Sequence, residues 1–217
     1  MSYLGLETIR RGYSSDCIRD ILTLHFPNAK TVLDCTYGKG RFWQWDHQLA
    51  ITGVDIDPID QPGIIRADYK ALPFLPQSFD VMVFDPPFIF SPGISRIMGT
   101  RGFIRGVKPL EADKNERWTA TNLVRAKNPQ DLLTHHRRIF EQRYIARQGL
   151  ILKGQDLIVN KPDWWSFNVM ELARAHGMGM PADVLLQYSK AARMKDPRWK
   201  VQKHFRRSHA IYLIYKW

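Results

Sequence analysis

Four short apolar runs in the first 85 residues carry an aspartate at or beside their ends: "TVLDC" (31–35), "AITGVDID" (50–57), "IIRADYKALPF" (64–74) and "FDVMVF" (79–84), the last followed at once by Asp85. β-branched and aromatic side chains in short runs mark buried strands. A carboxylate is poorly tolerated inside such a run, so each aspartate marks a point where the chain leaves the core. The last run is also stopped by Pro86-Pro87, through which no regular element continues. Strands that end in this way and alternate with helical patterns call for an α/β architecture.

The remaining segments keep that alternation. Ser14-Ser15 caps a helix through "CIRDILTLHF", whose buried face is Ile18, Ile21, Leu22 and Phe26. The pattern over 128–148 is helical and precedes a fifth strand at 149–159. A helix beginning at Trp164-Trp165 closes at Gly177 or Gly179. The stretches 182–190 and 208–217 finish the chain as two late strands forming a hairpin. A length of 217 residues suits one domain rather than two. Two stretches break the rhythm, a long irregular insertion at about 89–127 and a basic loop at about 190–207. Long irregular loops inside a compact domain are usually functional.

Hydrophobic residues make up 44% of the chain, enough to fill a core. The net charge of +11 favours a polyanionic partner over a neutral metabolite. Cys17 and Cys35 are too few for a disulfide framework or a cysteine metal site, which fits a reducing cytoplasm. No signal-peptide pattern and no run of about 18 apolar residues is present, so a soluble protein is expected.

"VLDCTYGKGRF" (32–42) places Asp34 at a strand end and then Gly38 and Gly40 in a tight turn, where backbone can approach a ligand closely. The phosphate-loop pattern is absent. A dinucleotide fingerprint also fails, because Trp43 stands where its third glycine belongs. Asp55, with Asp57 as the spare, is placed to accept from two ribose hydroxyls, and Asp68 from an adenine amino group. This ordered series, closed by "DPPF" (85–88), resembles the class I S-adenosylmethionine-dependent methyltransferases. It is most similar to the branch that methylates adenine N6 or cytosine N4. "LILKGQD" (150–156) and the closing "RRSHAIYLIYKW" look like small bacterial and phage DNA modification methylases, so the likeness covers nearly the whole chain outside 89–127.

The resemblance implies a Rossmann-like fold with a mostly parallel seven-stranded sheet and helices on both faces. It implies S-adenosylmethionine as cofactor, held by Asp34, Thr36, Gly38, Gly40, Asp55, Ile56, Asp68, Tyr69 and Asp85. Catalysis falls to Asp85, Pro86, Pro87 and Phe88. An exocyclic amine is a weak nucleophile until acceptors aimed at its N–H groups favour a tetrahedral nitrogen. Asp85 supplies one acceptor and the Pro86 carbonyl the second, the diproline fixes the corner, and Phe88 stacks on the base. No metal is needed. The polymer grip is expected from Arg96, Arg101, Arg105, Lys108, Lys200, Lys203, Arg206 and Arg207, with DNA as the partner.

Three other functions compete with this one: an RNA base methyltransferase, a catalytically silent nucleic-acid-binding relative, and, least favoured by the charge, a small-molecule methyltransferase. His135-His136 is expected on the surface of a charged helix, and Trp164-Trp165 as a packing anchor. Tyr37 and Trp43, flanking the glycine turn, are read as either site or core residues.

Overall fold

The computed structural model describes residues 5–56, 58, 61–87, 128–159, 161–188 and 209–217. In chain order its strands are β1 (Ile9–Arg11), β2 (Thr31–Asp34), β3 (Ala50–Asp55), β4 (Ile65–Arg66), β5 (Phe79–Phe84), β6 (Ala146–Gly154), β7 (Leu157–Val159), β8 (Lys161–Asp163), β9 (Asp183–Tyr188) and β10 (His209–Lys216). The helices are α1 (Ser14–His25), α2 (Pro129–Glu141) and α3 (Trp165–Ala175).

Eight strands form the main sheet in the order β4-β3-β2-β5-β6-β10-β9-β1. All neighbours pair in parallel except at β10, which runs against both β6 and β9. A parallel run whose strand order reverses at β2, with one antiparallel strand inserted near the far edge, is the Rossmann-like class I methyltransferase fold. The expected seven strands are all present, and the count rises to eight because Ile9–Arg11 adds to the edge beside β9. Three residues of exposed backbone carry no apolar period, so that strand had no sequence signal.

Helices cover both faces, and side-chain alternation decides which residue meets which layer. Val81 and Val83 of β5 face α1, packing with Ile18, Ile21 and Leu22. Met82 and Phe84 face the other way, toward Leu132 and Ile139 of α2 and Trp165 and Val169 of α3. All six residues of β5 are buried, as a central parallel strand covered on both sides requires.

Local boundaries moved for identifiable reasons. The α1 N-cap is Tyr13 rather than a serine, and its N–H donates to Asp16 Oδ2 at 3.0 Å. The pattern over 128–148 divides into α2, a 3-10 turn at Arg143–Ile145 and the start of β6. The run at 149–159 likewise splits, because β6 ends at Gly154 and β7 pairs with β8 in a separate hairpin. Gly177, at φ 74°, follows the α3 C-cap His176, consistent with a glycine closing that helix.

One carboxylate ties down the sheet end opposite the aspartate series. Asp80 Oδ2 accepts from the N–H groups of Lys30 and Thr31 and from the Thr31 hydroxyl, at 2.8, 2.9 and 3.0 Å. Its Oδ1 takes the Arg147 guanidinium at 3.0 Å. The starts of β2, β5 and β6 therefore meet on one side chain. Burial works against the Asp80 charge, but these donors outweigh it and hold the carboxyl down at about 2. Because the folded value lies below the ordinary 3.8, this stabilisation is present above that pH and is lost as pH falls toward 2. Asp80→Ala should lower unfolding stability by ~2–3 kcal/mol, since several buried donors lose their acceptor. Urea denaturation should show a lower midpoint at unchanged slope, and an unchanged midpoint would show that the clamp does not hold these strands.

Candidate active site

The order of the sheet reverses at β2, and open α/β sheets bind ligands in the crevice at the carboxyl ends of the strands beside such a reversal. Asp34, Asp55 and Asp85 come together there from β2, β3 and β5. The three strand ends are stitched by short bonds. Cys35 N–H donates to the Val83 carbonyl at 2.9 Å, and Tyr37 N–H to the Val54 carbonyl at 3.0 Å. Asp85 N–H donates to Thr36 Oγ1 at 2.8 Å, and Gly38 N–H to Asp55 Oδ2 at 2.9 Å.

The glycine turn needs its glycines. Gly38 and Gly40 have φ of 55° and 62°, a region other residues enter at a cost. At Gly40 a Cβ would also lie 2.6 Å from Tyr37 Oη. Beside Gly38 the nearest atom to such a Cβ is the Thr36 carbonyl oxygen at 3.8 Å, so the turn presents open backbone on that side. Tyr37 fills the space between Gly40 and Gly53, and Trp43 is buried with its indole N–H donating to Asp34 Oδ2 at 2.8 Å. Both flanking aromatics therefore shape the turn from behind.

Asp34 is 1% exposed and also accepts the Thr36 N–H at 3.1 Å. It braces the turn from within. Burial pushes its carboxyl up to about 7; the bonds from Trp43 and Thr36 pull the other way, and Asp85 and Asp55 add a smaller upward push. Thr36 spends its hydroxyl on the Asp85 backbone, so it acts on the site through Asp85. Ile56 follows β3 and is half-buried. Asp68 caps the 3-10 turn Tyr69–Ala71, accepting from Lys70 N–H at 2.9 Å. The Tyr69 side chain lies in the core, its hydroxyl 2.8 Å from His135 Nδ1 and its ring against Phe84, so only its backbone is left to face a ligand.

Asp85 stands just beyond β5 and is partly buried; Pro86 is buried and Pro87 half-buried. Phe88, Asp57, Arg96, Arg101, Arg105, Lys108, Lys200, Lys203, Arg206 and Arg207 lie outside the described residues, as do 89–127 and 190–207.

Sequence reasoning missed Lys153. Its ammonium lies 2.9 Å from Asp85 Oδ2, with the two side chains only 14% and 22% exposed. Phe84 pairs with Leu152 across β5 and β6, so the next step along the same parallel register sets Lys153 beside Asp85. The available signal was a lone cation inside the apolar run "LILKG", level with the end of the neighbouring strand.

Two secondary expectations change. His135 and His136 are not surface residues, at 3% and 0% exposed, because α2 turns that face into the core against Phe84 and Trp165. Burial depresses His136 to about 4. Of the tryptophan pair, Trp165 is the anchor at 1% exposed, whereas Trp164 is 52% exposed. Among the described residues, no group of three or more His, Cys, Asp or Glu could hold a metal ion, and no helix is long and apolar enough to cross a membrane. Cys17 and Cys35 are buried free thiols.

No family model and no curated protein matches this chain. Among solved structures it is similar to the PH0226 protein of Pyrococcus horikoshii, with 12% identity, a TM-score of 0.49, and coverage of 93% of this chain and 88% of that one. A Thermotoga maritima protein described as a SAM-dependent methyltransferase, possible histamine N-methyltransferase, is 13% identical at a TM-score of 0.47, covering 94% and 89%. A SAM-dependent methyltransferase of Methanosarcina mazei is 10% identical at 0.41, covering 90% and 96%.

Because the folded value of Asp34 lies above its ordinary 3.8, its contribution to stability is full below that pH and is lost as pH rises through about 7. Between pH 5 and 8 the wild-type denaturation midpoint should therefore fall relative to that of Asp34→Asn, which cannot ionise. Parallel midpoint curves for the two proteins would show that Asp34 does not titrate in this range.

Proposed function

We propose that this chain is an S-adenosylmethionine-dependent methyltransferase acting on an exocyclic amine of a base in DNA, with adenine N6 favoured over cytosine N4. The observation that carries the reading is the Asp85-Pro86-Pro87 corner standing beside the glycine turn, with the Asp85 backbone tied to Thr36. A diproline restricts the backbone, and the Thr36 hydroxyl removes further freedom, so the acceptor is held before any substrate arrives.

The residues present fit the cofactor. Asp55 and Asp85, both partly exposed, stand beside a turn whose Gly38 is exposed with open space next to it. This suits a molecule with cationic centres and a ribose diol, while the buried Asp34 braces the turn from behind. Asp55 would hold the ribose hydroxyls, Gly38 and Gly40 the methionine end, and Asp68 with the Ile56 and Tyr69 backbone the adenine. When bound, S-adenosylmethionine would supply an electrophilic methyl group on sulfur.

The chain's own residues act on the amine. Asp85 accepts one N–H and the Pro86 carbonyl accepts the other, which favours a tetrahedral nitrogen with its lone pair exposed and stabilises the charge that grows on it. Phe88 stacks against the ring. A base inside a duplex cannot reach such a corner, so it is flipped out or presented on a single strand. The net charge of +11 supports a polyanionic substrate.

Asp85→Ala should lower methyl transfer roughly 100-fold, the scale for losing one preorganised partner of a transition state. Lys153 loses its partner in this variant, so folding is checked by Tm and cofactor binding by calorimetry. Both should persist, because the contacts assigned to the cofactor, at Gly38, Gly40, Asp55, Ile56, Asp68 and Tyr69, do not include Asp85. Wild-type rates from Asp85→Ala would reduce the corner to a turn. Mass spectrometry of nucleosides from DNA and RNA treated in parallel decides the polymer, and modification of RNA alone would replace DNA as substrate.

The grip is assigned to Arg96, Arg101, Arg105, Lys108, Lys200, Lys203, Arg206 and Arg207. Affinity for a DNA oligonucleotide should then fall log-linearly with salt. Arg206→Ala with Arg207→Ala should flatten the slope by about two phosphate contacts. Affinity independent of salt would instead favour a small-molecule substrate.

A further inference from the structure

An ammonium 2.9 Å from the acceptor is an odd companion for amine methylation, because a paired carboxylate offsets less of the positive charge that grows on the nitrogen. Lys153 is nonetheless built into place. Its Nζ lies 5.0 Å from the Phe42 ring centroid and 5.9 Å from that of Tyr212, so an aromatic side chain from the glycine turn and another from β10 flank it. Tyr212 is also its direct partner across the β6–β10 ladder. Among the described residues the ammonium makes one hydrogen bond, to Asp85 Oδ2. An ammonium has three N–H groups, so this pairing leaves it able to donate again without releasing Asp85.

We infer that Lys153 is a specificity-determining residue that donates to the ring nitrogen beside the target amine, adenine N1 or cytosine N3, while Asp85 accepts from the amine itself. The inference rests on the proposed amine methylation and goes further, because it says how the base is chosen. In adenine the amine and N1 share one carbon; in cytosine the amine and N3 do. Each base thus presents a donor next to an acceptor on its Watson–Crick edge. Asp85 and Lys153 present an acceptor next to a donor, at hydrogen-bonding separation. Guanine fails the match on its Watson–Crick edge, because N1 beside its amine carries a hydrogen and would meet the ammonium donor to donor. The amine's other neighbour, N3, accepts but lies on the sugar side, where the attached backbone stands. Thymine and uracil have no amine to accept from. Leaving charged groups unmatched in a partly buried site rejects such bases more strongly than a lost attraction would.

The test compares two single-stranded oligonucleotide pools with randomised flanks, one with a central adenine and one with 1-deazaadenine, which keeps the amine and replaces N1 by C–H. Initial rates of methyl transfer and competition binding are read for both. Wild type should prefer adenine by about 10-fold or more, the scale for one hydrogen bond to a charged group. Lys153→Met, which keeps an unbranched apolar side chain without the ammonium, should bring the two pools to within about twofold. Lys153→Arg should restore much of the preference. Equal wild-type use of the two pools would overturn the role of Lys153 and leave amine methylation standing, whether or not the variants fold. Methylation of neither pool, nor of the matching cytosine and 3-deazacytosine pools, would overturn both readings.

Discussion

The hydrogen bond from the Asp85 N–H to the Thr36 hydroxyl joins the two strands on which everything at this site depends. β2 is the strand from which the chain builds outward in both directions, to β3 and β4 on one side and to β5 and β6 on the other. Open α/β sheets place their ligand crevice at such a reversal. The bond closes the ladder there, turning two neighbouring strand ends into one rigid corner.

The two ends of the sheet use carboxylates in contrasting ways. At the starting ends of the strands Asp80 is surrounded by donors, and its charge is stabilised. At the finishing ends Asp34 is buried with fewer donors and other carboxylates nearby, and its charge is resisted. The first arrangement secures strand pairing. The second leaves a carboxyl whose charge is opposed mainly by burial and slightly by its acidic neighbours, at some cost to stability.

Lys153 links these parts. Its ammonium lies 5.0 and 5.9 Å from the Phe42 and Tyr212 ring centroids and meets Asp85, so a residue of β6 bears on both the glycine turn and the acidic corner. The parallel register of β5 and β6 brings this about, because Leu152 opposite Phe84 sets the next residues side by side. Phe84 itself rests on His136 and Trp165, which makes the helical layer beneath part of the corner's support.

Much of the fold was written in local pattern. The run at 79–84 matches β5 to the residue, and Ile18, Ile21 and Leu22 are buried on α1 as the 3.6-residue period requires, with Phe26 buried at its C-cap. Glycines in a turn were legible because a positive φ needs a glycine, and Asp55 and Asp85 because a charge leaves the core, whereas Asp34 stays buried on partners the local pattern did not show. Other features depended on distant partners. Tyr69 followed a promising aspartate, yet its ring had a better place against Phe84 and its hydroxyl a partner on His135, 66 residues on. The two histidines sat in a charged stretch, and only the packing of α2 against the sheet showed that they face inward. Lys153 and Asp85, 68 residues apart, form a pair only because two parallel strands lie in one register. Local chemistry by itself determined where strands stop and where backbone must bend. Which side chains then meet was decided by sheet order and register, because those contacts join residues that no period along the chain relates.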